Sequence, residues 1–186
     1  MKILIFTGFT LAGFRRIGQR LNEKLNYQHL SLTSLLLEKL AEQTPMGQLF
    51  RFHMDKGELL STSLIQEMVE NAINKCVKQE GILIDGYPKN PHQAELLLDF
   101  LLQNPDNEVK SIFLYTPKAH YIARLKSRHV WADSDEELDS PIMERLNNME
   151  HEANEIKTYL ESRIEVMTID GSGALNEVIT RVLAAV

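Results

Sequence analysis

The chain has one cysteine, Cys76, so it cannot close a disulfide within itself and offers no cysteine zinc centre. Cys76 falls on the apolar stripe of a helical pattern, which reads it as a small buried hydrophobe. The 6 prolines and 9 glycines gather in no linker, and no repeat or low-complexity tract divides the sequence, so one domain over 1–186 is expected. No apolar run approaches the roughly 20 residues that span a bilayer. The opening MKILIF is short and lacks a cleavage site, so it reads as a first strand, and a cytoplasmic location is predicted. Positive charge is the scarcer sign, with 20 Lys and Arg against 26 Asp and Glu. The net charge of −6 argues against non-specific binding to nucleic acid or to a membrane surface. The 6 histidines show no metal-ligand spacing and read as core or surface residues.

What the chain does have is 186 residues, 44% hydrophobic and 25% charged, enough for one substantial core. Apolar runs at 2–7, 27–31, 81–85, 109–116 and 163–169 predict strands. Helical periods predict helices near 13–25, 33–43, 62–78, 91–103, 118–129, 141–161 and 174–185, and a short one near 47–55. The segment 62–78 carries Leu64, Ile65, Met68, Val69, Ala72, Ile73 and Cys76 on one stripe. Ser61, Thr62 or Ser63 is a cap for its start, and Ser63 with Gln66 has capping-box spacing. The strand runs are continuous and not alternating, as in sheets covered on both faces. The expected fold is therefore α/β and three-layered, a five-stranded parallel sheet with helices on both faces. The acidic run Asp133–Asp139 has no apolar period and reads as a solvated loop.

In such a sheet, ligands bind beyond the carboxyl ends of the strands. Three predicted loops there carry informative residues. The first, Gly8 to Arg16 (GFTLAGFRR), follows an apolar strand and precedes a helix, with glycines at Gly8 and Gly13. That is the setting of a phosphate-binding loop, except that Phe14 stands where a lysine would reach the β/γ-phosphates. Arg15 follows, where many such loops place a Mg²⁺-binding hydroxyl. The second loop reads Asp85-Gly86-Tyr87-Pro88-Lys89 and leads to Pro91-His92-Gln93-Ala94. The third leads into a helix with Arg124 and Arg128 four residues apart on one face.

Together these segments resemble the adenylate kinase (nucleoside monophosphate kinase) family. DGYPKNPHQA stands for the family's D-G-[FY]-P-R followed by P-x-Q-A, and GFTLAGFRR aligns without a gap with its loop G-x-P-G-x-G-K-G-T. Arg124 and Arg128 match an R-x-x-x-R before the family's lid, Arg145-Leu146 an R-L after it, and Asp170-Gly171-Ser172 a D-G-[ST] near the end. The resemblance covers essentially the whole chain. It implies a P-loop nucleotide kinase-like fold, with an acceptor-side insertion at about 31–62 and a short lid at about 130–140. It also implies roles. Asp85 would hold Mg²⁺ through water, and Gly86 would let backbone approach the ligand. Lys89 would face the phosphates from the acceptor side, and Gln93 would read the acceptor base. Arg124 would lie over the donor adenine, with Arg128 and Arg145 on the transferring phosphoryl group. Gly8, Gly13, Arg15 and Arg16 would surround the donor phosphates. The implied ligands are a nucleotide and Mg²⁺ with ATP. The lid is too short and acidic for a zinc ribbon.

The departures from the pattern fall on the phosphate-binding positions. Leu11 replaces a loop glycine, Phe14 the lysine, and Arg15-Arg16 a Gly-Thr pair. Leu32 and Leu37 stand for a polar contact and an arginine on the acceptor side, Lys89 for an arginine, and Trp131 for a lid arginine. One missing preorganised donor or cation typically costs about 10²–10³ in rate. The reading preferred here is a degenerate kinase with transfer lost or very weak and nucleotide binding retained. Two alternatives stay open. One is an active phosphotransferase rebuilt around Arg15 or Arg16, and the other a non-enzymatic scaffold with Phe14, Leu32 and Leu37 filling the old sites.

Overall fold

A computed structural model describes residues 1–9, 14–56, 60–76, 80–127 and 140–186. Leu11, Gly13, Arg128, Trp131 and the predicted lid as far as residue 139 lie outside the described residues. Five strands form one sheet: β1 (Lys2–Phe9), β2 (Gln28–Ser31), β3 (Gly81–Asp85), β4 (Glu108–Tyr115) and β5 (Glu165–Asp170). All pairings are parallel, in the order β2-β3-β1-β4-β5, as the β/α alternation predicts. The helices are α1 (Phe14–Leu25), α2 (Leu32–Ala41), α3 (Pro45–Asp55), α4 (Thr62–Lys75), α5 (Pro91–Leu101), α6 (Lys118–Ser127), α7 (Ser140–Glu161) and α8 (Leu175–Ala185).

Strand period two divides the core. Ile3, Ile5, Leu30, Ile82 and Ile84 face a cluster shared with α4, α5 and α7. Leu4, Phe6, Leu83, Ile112 and Leu114 face Ile17 and Leu21 of α1 and Val178 and Val182 of α8. Every β1 residue from Ile3 to Thr7 is buried, which is why these strands read as continuous apolar runs. The chain passes from β3 across β1 to β4, so the order reverses beside β1. The carboxyl end of β1 is therefore the position where an open α/β sheet forms its ligand crevice.

Element ends differ from expectation where polar side chains intervene. The hydroxyl of Ser61 accepts from the Leu64 N–H at 3.3 Å and caps α4. The capping box read at Ser63 and Gln66 does not form, because Gln66 is buried and its side chain is used elsewhere. The last strand begins two residues later than predicted, because the Arg163 N–H still bonds the Leu160 carbonyl in a helical turn. β1 runs past Gly8 to Phe9, so the first glycine of the expected loop belongs to the strand.

Candidate nucleotide site at the carboxyl edge

Phe6 pairs with Asp85 across β1 and β3, which sets the two side by side at the end of the sheet. Gly8 follows, with φ +130°, paired with Leu114 on the other neighbour. A Cβ there would lie 2.1 Å from the Leu114 carbonyl oxygen, so only glycine lets β1 and β4 approach at this point. Gly86, at φ +77°, turns the chain sharply out of β3.

Asp85 is buried, and one of its carboxylate oxygens bonds His29 Nε2. His29 pairs in register with Leu83, two residues before Asp85, so the imidazole and the carboxylate share the sheet face covered by α1. Gly18 of α1 leaves room for the ring, since a Cβ there would sit 2.5 Å from His29 Nε2. Sequence reading missed this pair. The residues are 56 apart, and only the strand register brings them together.

Behind Gly86 the loop is held by buried polar contacts. Tyr87 is almost fully buried, and its hydroxyl donates to Gln66 Oε1. Gln66 Nε2 in turn donates to Glu70 Oε1 at 2.5 Å and to the Leu96 carbonyl at 3.3 Å. Burial, and secondarily the charge of Glu70, pushes the Tyr87 phenol well above its ordinary pKa. Gln93 is also buried. Its side-chain oxygen accepts the Lys89 N–H at 2.8 Å, and its own N–H bonds the capping Asn90 at 2.8 Å. Lys89 is exposed at the loop's outer end.

A cleft of about 170 Å³ opens over this edge, lined by Gly8, Phe14, Gly86, Lys89, Met149 and Glu152, among others. Phe14 begins α1 and packs edge-on against Phe6, with ring centroids 6.5 Å apart and planes at 72°. The residue at the lysine position is thus an apolar wall of the cleft. Arg15 and Arg16 stand exposed on the first turn of α1, where backbone N–H groups and the helix dipole favour an anion. On the acceptor side Leu32 is buried and joins the core, while Leu37 is 60% exposed. Of the three consecutive leucines, Leu35 and Leu36 are half-buried and Leu37 faces solvent, as the helical period requires. Of the residues expected at the site, the cleft takes in Gly8, Gly86 and Lys89, while Asp85, Gln93, Arg15 and Arg16 lie near its lining in sequence but are not part of it. Arg124 lies in α6 and Arg145 in α7, but their side chains are not among those described.

A second crevice, of about 320 Å³, lies at the ends of β4 and β5, lined by Tyr115, Pro117, His120, Ile169, Asp170 and Ser172. It adjoins α6, the helix of Arg124. Arg181 secures its floor, donating to the Asp170 carbonyl at 2.8 Å and the Ser172 carbonyl at 2.7 Å. The Ser172 N–H bonds Asp170 Oδ1 at 2.8 Å, and the Ser172 contacts, aided by Arg181, hold the Asp170 carboxyl below the usual carboxylate range. On the far wall Tyr115 donates to Glu150 at 3.3 Å, and Glu150 also pairs with Lys118 at 3.2 Å. Burial and Glu150 raise the Tyr115 phenol.

No group of three or more metal-ligating side chains occurs among the described residues. Mg²⁺ does not need one, since it keeps several waters and binds through one or two carboxylates together with substrate phosphates. Asp85 is one carboxylate at this edge, buried and bonded to His29. No described helix is long and apolar enough to cross a membrane.

Comparison with known proteins agrees with this fold. Residues 7–165 match the family model described as adenylate kinase. Adenylate kinase 1 of Nostoc sp. (strain PCC 7120 / SAG 25.82 / UTEX 2576) is 30% identical over 178 residues, covering 96% of this chain and 95% of the relative. The adenylate kinase of Mycobacterium leprae (strain TN) is 29% identical over 175 residues, 94% of this chain and 93% of the relative. That of Salinibacter ruber (strain DSM 13855 / M31) is 27% identical over 205 residues, 98% and 96% of the two chains.

Proposed function

The chain belongs to the adenylate kinase family, and on that premise we propose that it binds a nucleotide while phosphoryl transfer is lost or very weak. The observation that carries this reading is Phe14. Its ring is packed on Phe6 and walls the cleft at the position where the family pattern calls for a lysine. Phosphoryl transfer relies on positioning and on neutralising charge along one in-line path. An aromatic side chain supplies neither. Glu152 adds negative charge to the same cleft, and Leu37 leaves an acceptor phosphate without its arginine.

Mg²⁺ with ATP, when bound, would supply neutralisation of the phosphate charge. The chain's own residues would then divide the work as follows. Asp85, fixed by His29, would hold the hydrated ion. Arg15, Arg16 and the start of α1 would attract the donor phosphates. The crevice beside Asp170 would take the donor base. Lys89 would meet the acceptor from the opposite side, as a point charge without the planar two-pronged contact of an arginine. Donor-side binding is therefore expected to outlast acceptor-side binding. Calorimetric titration with Mg·ATP and, separately, AMP tests this. Mg·ATP is expected to bind more tightly, and a tighter AMP, or no binding of either, would contradict the reading.

A second reading has one observation in its favour. Arg15 and Arg16 are exposed at the head of α1, and either would bring a cation to the donor phosphates. On that reading the protein is an active ATP-dependent nucleoside monophosphate phosphotransferase with a rebuilt loop. Both arginines project from a different backbone position than the lost lysine, and a misplacement of about 1 Å can cost about 10²-fold in rate.

A further inference from the structure

Gly86, Pro88 and Lys89 all line the nucleotide cleft. Tyr87, in their midst, turns the other way: it is 1% exposed and packs in the apolar cluster shared with α4 and α5. Where this wall of the cleft stands therefore depends on what holds Tyr87 from behind. Its hydroxyl donates to Gln66 Oε1, on α4. Burial first, and the charge of Glu70 second, raise the phenol pKa, so the hydroxyl stays a donor at neutral pH. Gln66 Nε2 donates onward to Glu70 Oε1 at 2.5 Å and to the Leu96 carbonyl of α5 at 3.3 Å. α5 meets the loop a second time, where Gln93 Oε1 accepts the Lys89 N–H at 2.8 Å. Gln66 is thus the point at which the loop after β3, α4 and α5 are joined. It does not line the cleft itself. It stands among the buried residues of α4 with Met68, Val69, Ala72 and Ile73, a position that packing alone would fill with an apolar residue. A buried amide is costly unless bonded, and Tyr87 supplies a bond.

We propose that Gln66 is a positioning residue for the acceptor half of the site, acting through Tyr87 on Gly86 and Lys89. The proposal rests on the nucleotide reading of the cleft, with Lys89 toward the acceptor. β3 holds the loop at Asp85, and the Lys89–Gln93 bond holds it at α5. Tyr87 lies between those two anchors. The apolar contacts of its ring resist withdrawal but set no direction. The hydroxyl bond to Gln66 is directional, so it fixes the ring and with it the chain on either side. Without Gln66 a buried hydroxyl would have no partner, and loop conformations that rehydrate it would gain. Those conformations carry Lys89 away from its place, and apparent affinity for the acceptor falls with the population of the competent loop. Arg15, Arg16 and the crevice beside Asp170 lie on other elements, so donor affinity is expected to hold.

Gln66→Met keeps the length of the side chain and most of its volume while removing its hydrogen bonds. On the full chain, titration calorimetry with AMP should show about tenfold weaker binding, with Mg·ATP affinity within about twofold of the parent. Adding Tyr87→Phe removes the unpaired hydroxyl as well. It should return AMP affinity to near the parent value, since replacing both partners by apolar groups is close to neutral. Hydrogen exchange gives a reading that needs no nucleotide. The Lys89 amide should exchange about tenfold faster in Gln66→Met and recover in the double variant, while Ile82, Leu83 and Ile84 of β3 stay unchanged. A merely structural role would speed exchange of loop and strand alike and leave the AMP affinity of the folded protein alone, and that result would overturn the proposal. So would a double variant that fails to recover. If the parent binds neither nucleotide, the reading of the cleft fails, and Lys89 exchange alone decides whether Gln66 holds the loop.

Discussion

Phe14 is where one side chain bears most on chemistry. Phe14→Lys would return a cation to the cleft, yet Leu11 would still replace a glycine of the family's loop pattern, and Leu37 would still leave the acceptor phosphate unpaired. The single variant is expected to show no gain in transfer activity. Leu11→Gly, Phe14→Lys, Arg15→Gly, Arg16→Thr and Leu37→Arg together should gain more than the product of the separate effects, because such residues act as one unit. Assays of the single and combined variants beside the parent check this, and full rescue by Phe14→Lys alone would refute it. His29 yields a separate expectation. His29→Ala leaves the buried Asp85 carboxylate without its partner, so stability should fall by about 1–3 kcal/mol. Chemical denaturation of the variant and the parent measures that loss.

At the scale of elements, the loop after β5 and the loop after β3 respond to opposite ends of the pH range. The folded-state pKa of Asp170 is depressed by Ser172 and Arg181. Its contribution is present above the unfolded pKa of about 3.9 and is lost as pH falls through the lower folded value. Asp170→Asn should flatten that acid limb of the stability profile. Tyr87 titrates the other way. Its raised folded pKa means stability is retained below about pH 10, the unfolded value, and declines as pH rises above it. Tyr87→Phe removes the ionisable hydroxyl and should reduce the alkaline loss, although Gln66 Oε1 then lacks its donor and stability at neutral pH should drop by about 1–3 kcal/mol. Thermal melts across pH on the parent and both variants read these limbs. The elements themselves were legible in the sequence, because strands buried on both faces leave unbroken apolar runs and helices leave a 3.6-residue period. Their ends were less so. Gly8 reads as a loop glycine until the pairing with Leu114 shows that β4 demands it, and Gln66 reads as a cap partner until the fold brings Tyr87 to it.

Across the whole molecule, the sheet order gathers residues from distant segments onto one edge: Gly8, Asp85 and Gly86 beside the start of α1, and Asp170 beside the start of α6. The motif DGYPK with its following glutamine indicated most of that edge, because loop chemistry is local in sequence. The His29–Asp85 pair and the Glu152 wall were invisible, since they depend on strand register and on where α7 crosses the sheet. The scaffold is thus that of the adenylate kinase family, and the proposed loss of transfer rests on Phe14 and Leu37 at positions where the family pattern has cations, with Glu152 in the cleft wall. The most direct test is the steady-state turnover of the parent chain with Mg·ATP and AMP in a coupled ADP assay. The account expects turnover far below one per second. A turnover of several per second, inside the usual enzyme range of about 1–10³ s⁻¹, would contradict it.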